Sequence, residues 1–108
     1  MNDAERWDRA VMVARTVTES LALDEITPIT LSVTAHSIDV SVPWDLVGWA
    51  ATGIFDDAQD LPVKETYRCR EVTGMVDMVP VAIRGFQGLT DPKPATSTVA
   101  DLLAGEQR

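Results

Sequence analysis

Between Asp3 and Leu23 the apolar residues Trp7, Ala10, Val11, Ala14, Val17 and Leu21 recur every three or four positions, the spacing of one face of an amphipathic helix. Asn2 or Asp3 can cap it, because a short side-chain oxygen accepts from the free amides of the first turn. Thr16, Val17 and Thr18 weaken its middle slightly, since β-branched side chains lose rotamer freedom in a helix. Pro28 closes off further helix, and the period drops to two. Ile29, Leu31, Val33, Ile38, Val40 and Val42 then fall on one face of a predicted hairpin, with Thr30, Ser32, Thr34, Asp39 and Ser41 on the other. Its connection, Ala35-His36-Ser37, lacks the Asn-Gly or Asp-Gly of the tightest turns and leaves the turn type open.

A second helix is predicted from Pro43 onward, with Val47, Ala50, Ala51, Ile54 and Phe55 at helical spacing and Leu46 and Trp49 widening the apolar stripe. Gly48 and Gly53 inside it each cost about 1 kcal/mol relative to alanine, so one of them is expected to touch a strand or another chain. Beyond Pro62 the chain predicts a strand from Tyr67 to Val76, a turn at Asp77-Met78-Val79-Pro80 and a strand from Val81 to Phe86. A turn at Thr73-Gly74 is the competing register. It would leave Pro80 inside a strand, a position proline normally avoids. Residues 87–98, QGLTDPKPATST, read as an extended linker, and residues 99–108 as a short helix and tail, too short to be stable unless docked.

These elements predict one α+β domain over residues 1–86, in the order α-β-β-α-β-β, followed by the linker and the short C-terminal helix. The expected architecture is a four-stranded, mainly antiparallel sheet with two helices packed on one face. A length of 108 residues allows one core and not two. With 45% hydrophobic and 24% charged residues, the composition is that of a folded globular chain. No apolar run reaches the roughly 18 residues of a membrane span, and the first residues are charged rather than basic and then apolar. The reading is a cytoplasmic protein.

Seventeen acidic against nine basic residues give a net charge of -8. Such a field repels phosphate backbones and attracts basic partners. Nucleic acid is therefore disfavoured as a ligand, and another protein, such as one with a basic surface, is the expected partner. Cys69 is the single cysteine and His36 the single histidine, which excludes an internal disulfide and a Cys/His zinc set in one copy.

Asp56, Asp57 and Asp60 share the spacing of a DDxxD magnesium–diphosphate motif, but that motif works with a second acidic cluster in a larger helical cavity. Here it falls at the predicted end of a helix and reads as a solvated acidic loop. His36, Ser37 and Asp39 sit too close in one turn to form a nucleophile–base–orienter line. Cys69 is expected to face the core. No catalytic residue, cofactor site or metal site is assigned.

The strongest candidate surface is a strip of arginines opposite Cys69. Arg68 and Arg70 would share one side of their strand, with Arg84 and Phe86 on the neighbouring strand and Lys64 upstream. Arginine and aromatic side chains are the enriched types at interface hot spots. The competing reading pairs these arginines with Glu65, Glu71 and the acidic loop as ordinary exposed ion pairs. Trp7 and Trp49 are expected in the core. Trp44, at a helix start after Pro43, is expected either to pin that helix to the hairpin or to mark an interface.

In size and charge the chain resembles the small acidic proteins carried by bacteria and phages. The leading reading is a non-catalytic interaction or regulatory module, an inhibitor or adaptor. A homodimer is also expected, because small α+β domains tend to pair their sheets or edge strands. The alternative is a small-ligand binding protein or small enzyme with a pocket between helices and sheet. A nucleic-acid binder using the arginine strip ranks third.

Overall fold

In the computed structural model, which describes residues 2–66, 68–87 and 97–106, the first helix, α1, runs from Asp3 to Leu23. The Asn2 carboxamide oxygen accepts from the Glu5 amide at 2.9 Å, closing its first turn. Its inner face is Ala10, Val13, Ala14, Val17 and Leu21, all buried. Trp7 does not join them: it is 47% exposed, and Trp49 is 45% exposed. Both indoles lie on helix flanks rather than in the core.

Strands β1 (Thr30–Val33) and β2 (Ile38–Ser41) form the expected antiparallel hairpin, with Leu31 opposite Val40 and Val33 opposite Ile38. Only β2 is deeply buried. Strand β1 lies at the edge of the sheet, so Ile29 and Leu31 remain 66% and 37% exposed although they share the parity of the buried face. A short 3-10 turn over Trp44–Leu46 leads into α2, Val47–Ile54.

The second half of the chain departs from expectation in strand number. A separate strand, β3, covers Pro62–Thr66 and pairs antiparallel with β4, Cys69–Val76. Strand β5 is Val79–Phe86, and the turn contracts to Asp77 and Met78, both in the left-handed region at φ 48° and 67°. Pro80 therefore lies inside a strand after all. It faces Met75, a pair that exchanges no hydrogen bond when the adjacent Val76–Val79 pair closes a two-residue turn. On its other side β2 pairs with β5 only from Val81 to Arg84. The missing N–H thus has no acceptor to disappoint.

Residues 88–96, the bulk of the predicted linker, lie outside the described residues. Its last two, Ser97 and Thr98, form strand β6 against Val63 and Pro62. The following helix α3, Val99–Glu106, docks on the same chain through Val99 and Leu102, both buried.

The sheet has six strands, not four, in the order β1-β2-β5-β4-β3-β6, and the β2–β5 contact is parallel. The helices pack on one face of it. Val17 and Leu21 from α1, Val47, Ala50 and Ala51 from α2, and Val99 and Leu102 from α3 meet Val40, Val72, Val81 and Ile83 in one core. Burying a valine or leucine side chain contributes about 1.5–3 kcal/mol. The two helical glycines mark contacts between helices rather than with a strand: Gly48 lies against Leu102 and Leu103, and Gly53 against Ser20 and Asp24. Ser20 Oγ donates to the Gly53 carbonyl at 2.6 Å. The result is a small α+β domain of three helices and one sheet. Among the described residues no helix is long and apolar enough to cross a membrane.

Candidate interaction surface

Strand alternation decides where each arginine goes. On β4, Arg70 and Val72 are buried while Cys69, Glu71, Thr73 and Met75 alternate with them toward the other face. Arg70 is thus on the core side and Cys69 on the open side, the reverse of the expected parity. Arg70 lies opposite Gly85 and Glu71 opposite Arg84, so Arg70 and Arg84 are on different faces. The predicted strip does not form.

Arg70 instead completes a buried polar cluster. Its Nε donates to Glu65 Oε1 at 3.2 Å, with the two side chains 6% and 4% exposed. Its Nη1 donates to the Trp44 carbonyl at 3.3 Å, and its guanidinium carbon lies 4.0 Å from the Trp44 ring centroid. Trp44 therefore pins the start of α2 to the sheet through a cation–π contact. Glu65, facing inward from β3 and opposite Arg70 in register, is what makes an inward arginine tolerable. Arg68 sits in the β3–β4 connection with φ 58°, and its carbonyl accepts from the Gln87 amide at 2.8 Å.

Among the described residues, the opposite face carries no helix. Lys64 lies opposite Glu71, and Glu71 opposite Arg84. The Arg84 Nε donates to Glu71, and its Nη1 meets Asp39 Oδ1 at 3.2 Å. Four charges of alternating sign thus cross four strands, β3 to β2, and sum to zero on a chain of net charge -8. The hydrogen bond to Glu71 chiefly holds the Arg84 guanidinium above its usual range, with the charges of Glu71 and Asp39 adding to it. Exposed pairs of this kind contribute about 0.2–1 kcal/mol each, so they order the surface more than they stabilise the fold.

Apolar groups frame the charged row. Phe86 is 61% exposed at one end, opposite Cys69, and Met75 is 61% exposed at the other, beside Pro80. Burial and the neighbouring Glu71 push the Cys69 thiol pKa up, which keeps it protonated and poorly nucleophilic. Of the six residues singled out from the sequence, Lys64, Arg84 and Phe86 share the open face. Arg70 and Trp44 pair behind it, and Arg68 belongs to a turn. Met75 and Asp39 were missed as members of this surface, while Glu71 had entered only as an ion-pair partner of the arginines, the role it takes with Arg84. The alternation of Val72 and Val76 carried the signal for the placing of Met75 and Glu71, since it fixes the parity of β4 independently of its charges.

Asp56, Asp57 and Asp60 line a shallow cleft of about 270 Å³ at the end of α2, and all three are exposed. Among the described residues no group of three His, Cys, Asp or Glu side chains converges as a metal site. His36 and Ser37 form the hairpin tip, where their amides donate to Thr34 Oγ1 at 3.2 and 3.0 Å. Comparison with protein-family models, with curated proteins and with solved structures gave no match to this chain.

Proposed function

We propose that this protein is a non-catalytic interaction module, an inhibitor or adaptor that engages a partner protein through the open face of its sheet. The observation that carries the reading is the one-sided packing. The helices cover one face and leave Phe86 and Met75 exposed on the other, around a charge row in which Arg84 already pairs with both Glu71 and Asp39. Exposed aromatic and methionine side chains beside an ordered arginine are the usual anchors of a protein interface. The net charge of -8 favours a partner with a basic surface by raising its encounter rate.

The test is a pull-down from the native host's lysate, comparing wild type with a Phe86→Glu, Met75→Glu variant. Both positions are well exposed, so the variant is expected to keep the wild-type circular dichroism spectrum. A stoichiometric partner lost with the double substitution supports the reading. A partner retained equally by both would move the site elsewhere, and no partner for either would remove the module reading.

A second reading, small-ligand binding, draws on a cleft of about 400 Å³ lined by Ile26, Leu46, Trp49, Asp24 and Glu25. Its apolar wall and two acidic lining residues suit a small amine. A series of aliphatic and aromatic amines that leaves the fluorescence of wild type and Trp49→Phe equally unchanged would dispose of it.

A further inference from the structure

The two edges of the sheet are unlike. At one end the two-residue strand β6 runs directly into α3. At the other, β1 presents Thr30-Leu31-Ser32-Val33 with no charge and no proline, so its four-residue length is what limits it as an open edge. The Thr34 amide donates to the Ser37 carbonyl at 2.9 Å. Antiparallel pairs alternate between bonded and non-bonded, so Ser32–Asp39 and Thr30–Ser41 are the bonded pairs that follow. Leu31 and Val33 therefore aim their N–H and C=O groups at the open edge.

The helix above this edge is also uncovered. Ser20 and Arg9 mark the flank of α1 that faces α2 and the β4–β5 turn, through Ser20 Oγ to Gly53 and Arg9 Nη1 to Met78 Sδ at 3.6 Å. At 100° per residue, Trp7 and Val11 fall on the opposite flank, toward β1. They are 47% and 50% exposed.

We infer that β1 pairs antiparallel with β1 of a second copy about a two-fold axis, with the flank of α1 completing the interface. The outward groups dictate the register. Leu31 exchanges both hydrogen bonds with the partner's Val33, and Ser32 meets the partner's Ser32 on the axis. This register sets the partner's Thr30 opposite Thr34, and the partner's Ile29, whose amide stays bonded to Ser41 of its own hairpin at 2.7 Å, follows just beyond, next to the hairpin tip. Arg6 and Arg9 of α1 line one cleft with Ala35 and His36, so the N-terminal half of α1 stands over that tip. Ile29, 66% exposed in one copy, thus arrives beside Trp7 and Val11 of the other.

A second copy fits better than a lone extended peptide. A peptide would cover the strand edge but leave the helix flank bare. A stable interface needs roughly 800 Å² per partner, more than a four-residue edge supplies. The seam's strand is also uncharged, so it is where two chains of net charge -8 can approach with least repulsion.

The test is a cysteine on the axis. In a Cys69→Ser background, Ser32→Cys places two thiols on a non-bonded pair whose Cα atoms lie about 4.5 Å apart, within disulfide range. Oxidation is expected to give a covalent dimer with the wild-type circular dichroism spectrum, whereas Thr30→Cys, which would face the partner's Thr34, stays monomeric in the denaturing gel. By sedimentation equilibrium the wild type is expected to dimerise and Val11→Glu to dissociate about tenfold or more readily. A wild type that is monomeric at every concentration would overturn the inference and leave the edge to a strand from another protein. Equal cross-linking at Thr30 and Ser32, or a dimer indifferent to Val11→Glu, would overturn it as well.

Discussion

Replacing Arg70 by alanine tests whether the inward arginine belongs to the fold or merely sits in it. The substitution removes the partner of a Glu65 side chain that is 4% exposed and leaves a carboxylate in the core. Breaking a buried pair this way costs about 3–5 kcal/mol, and the lost contact with the Trp44 ring, 4.0 Å from the guanidinium carbon, adds roughly 0.5–2 kcal/mol. A domain of this size has a total stability of about 5–15 kcal/mol, so Arg70→Ala is expected to remove a large share of it. At about 4 °C per kcal/mol for the summed loss of about 3.5–7 kcal/mol, the melting temperature falls by roughly 14–28 °C. The companion variant, Glu65→Leu with Arg70→Met, removes both charges and fills the space. It is expected to recover most of the loss, because a buried pair is hard to break by halves yet contributes little net. Urea unfolding followed by circular dichroism measures both. The reasoning fails if Arg70→Ala costs less than about 1 kcal/mol, the range of an exposed pair, or if the double variant is as unstable as the single.

Three further outcomes are expected. Met78→Gly should stabilise the fold by about 0.5–1 kcal/mol in the same assay, because Met78 holds φ 67° in a turn that glycine adopts without steric cost. Gly85→Ala should destabilise it by about 1–3 kcal/mol, since the added Cβ would stand 2.5 Å from Val47 Cγ2 and 2.9 Å from the Trp44 Cα, and the second of these is backbone. For Cys69 the native pKa is raised by burial and then by Glu71, so the folded state holds the thiol proton longer than the unfolded chain. Its stabilising effect is full below the ordinary thiol range and is lost as pH rises through the native value. The alkylation rate of the native protein with iodoacetamide should accordingly begin to climb at higher pH than that of the urea-unfolded chain, and coincident profiles would contradict the assignment.

Much of the order of elements was legible because periodicity reports burial directly. The helix over Asp3–Leu23, the hairpin around His36 and the helix ending near Ile54 all carry their pattern in apolar spacing alone. Strand β3 was not legible, because Pro62, Lys64 and Glu65 are poor strand formers, and its inward Glu65 makes sense only with Arg70 opposite. The same pair misled the reading of the site. A rule that sends charges to solvent assigns β4 the wrong parity, and with one residue of shift every side chain changes face. The exposed Trp7 and Trp49 escaped for a related reason: helical spacing gives the direction of a side chain but not how far its neighbours extend over it. The β2–β5 pairing joins residues more than forty apart in sequence, and no local signal marks it.

The two open parts of the sheet, its face and its β1 edge, are geometrically linked. Edge pairing about a two-fold axis perpendicular to the sheet keeps both helical layers on one side. Both open faces, each with its Phe86, Met75 and Arg84, then lie on the other side as one continuous surface. A partner with a single site gains nothing from this arrangement. A repeating partner, such as a filament or a second symmetric dimer, would be held at two points, and its second contact would form at the effective concentration set by the rigid sheet. The two proposals therefore separate experimentally. Val11→Glu should leave binding of a monovalent partner intact and weaken only the multivalent one, whereas Phe86→Glu should abolish both.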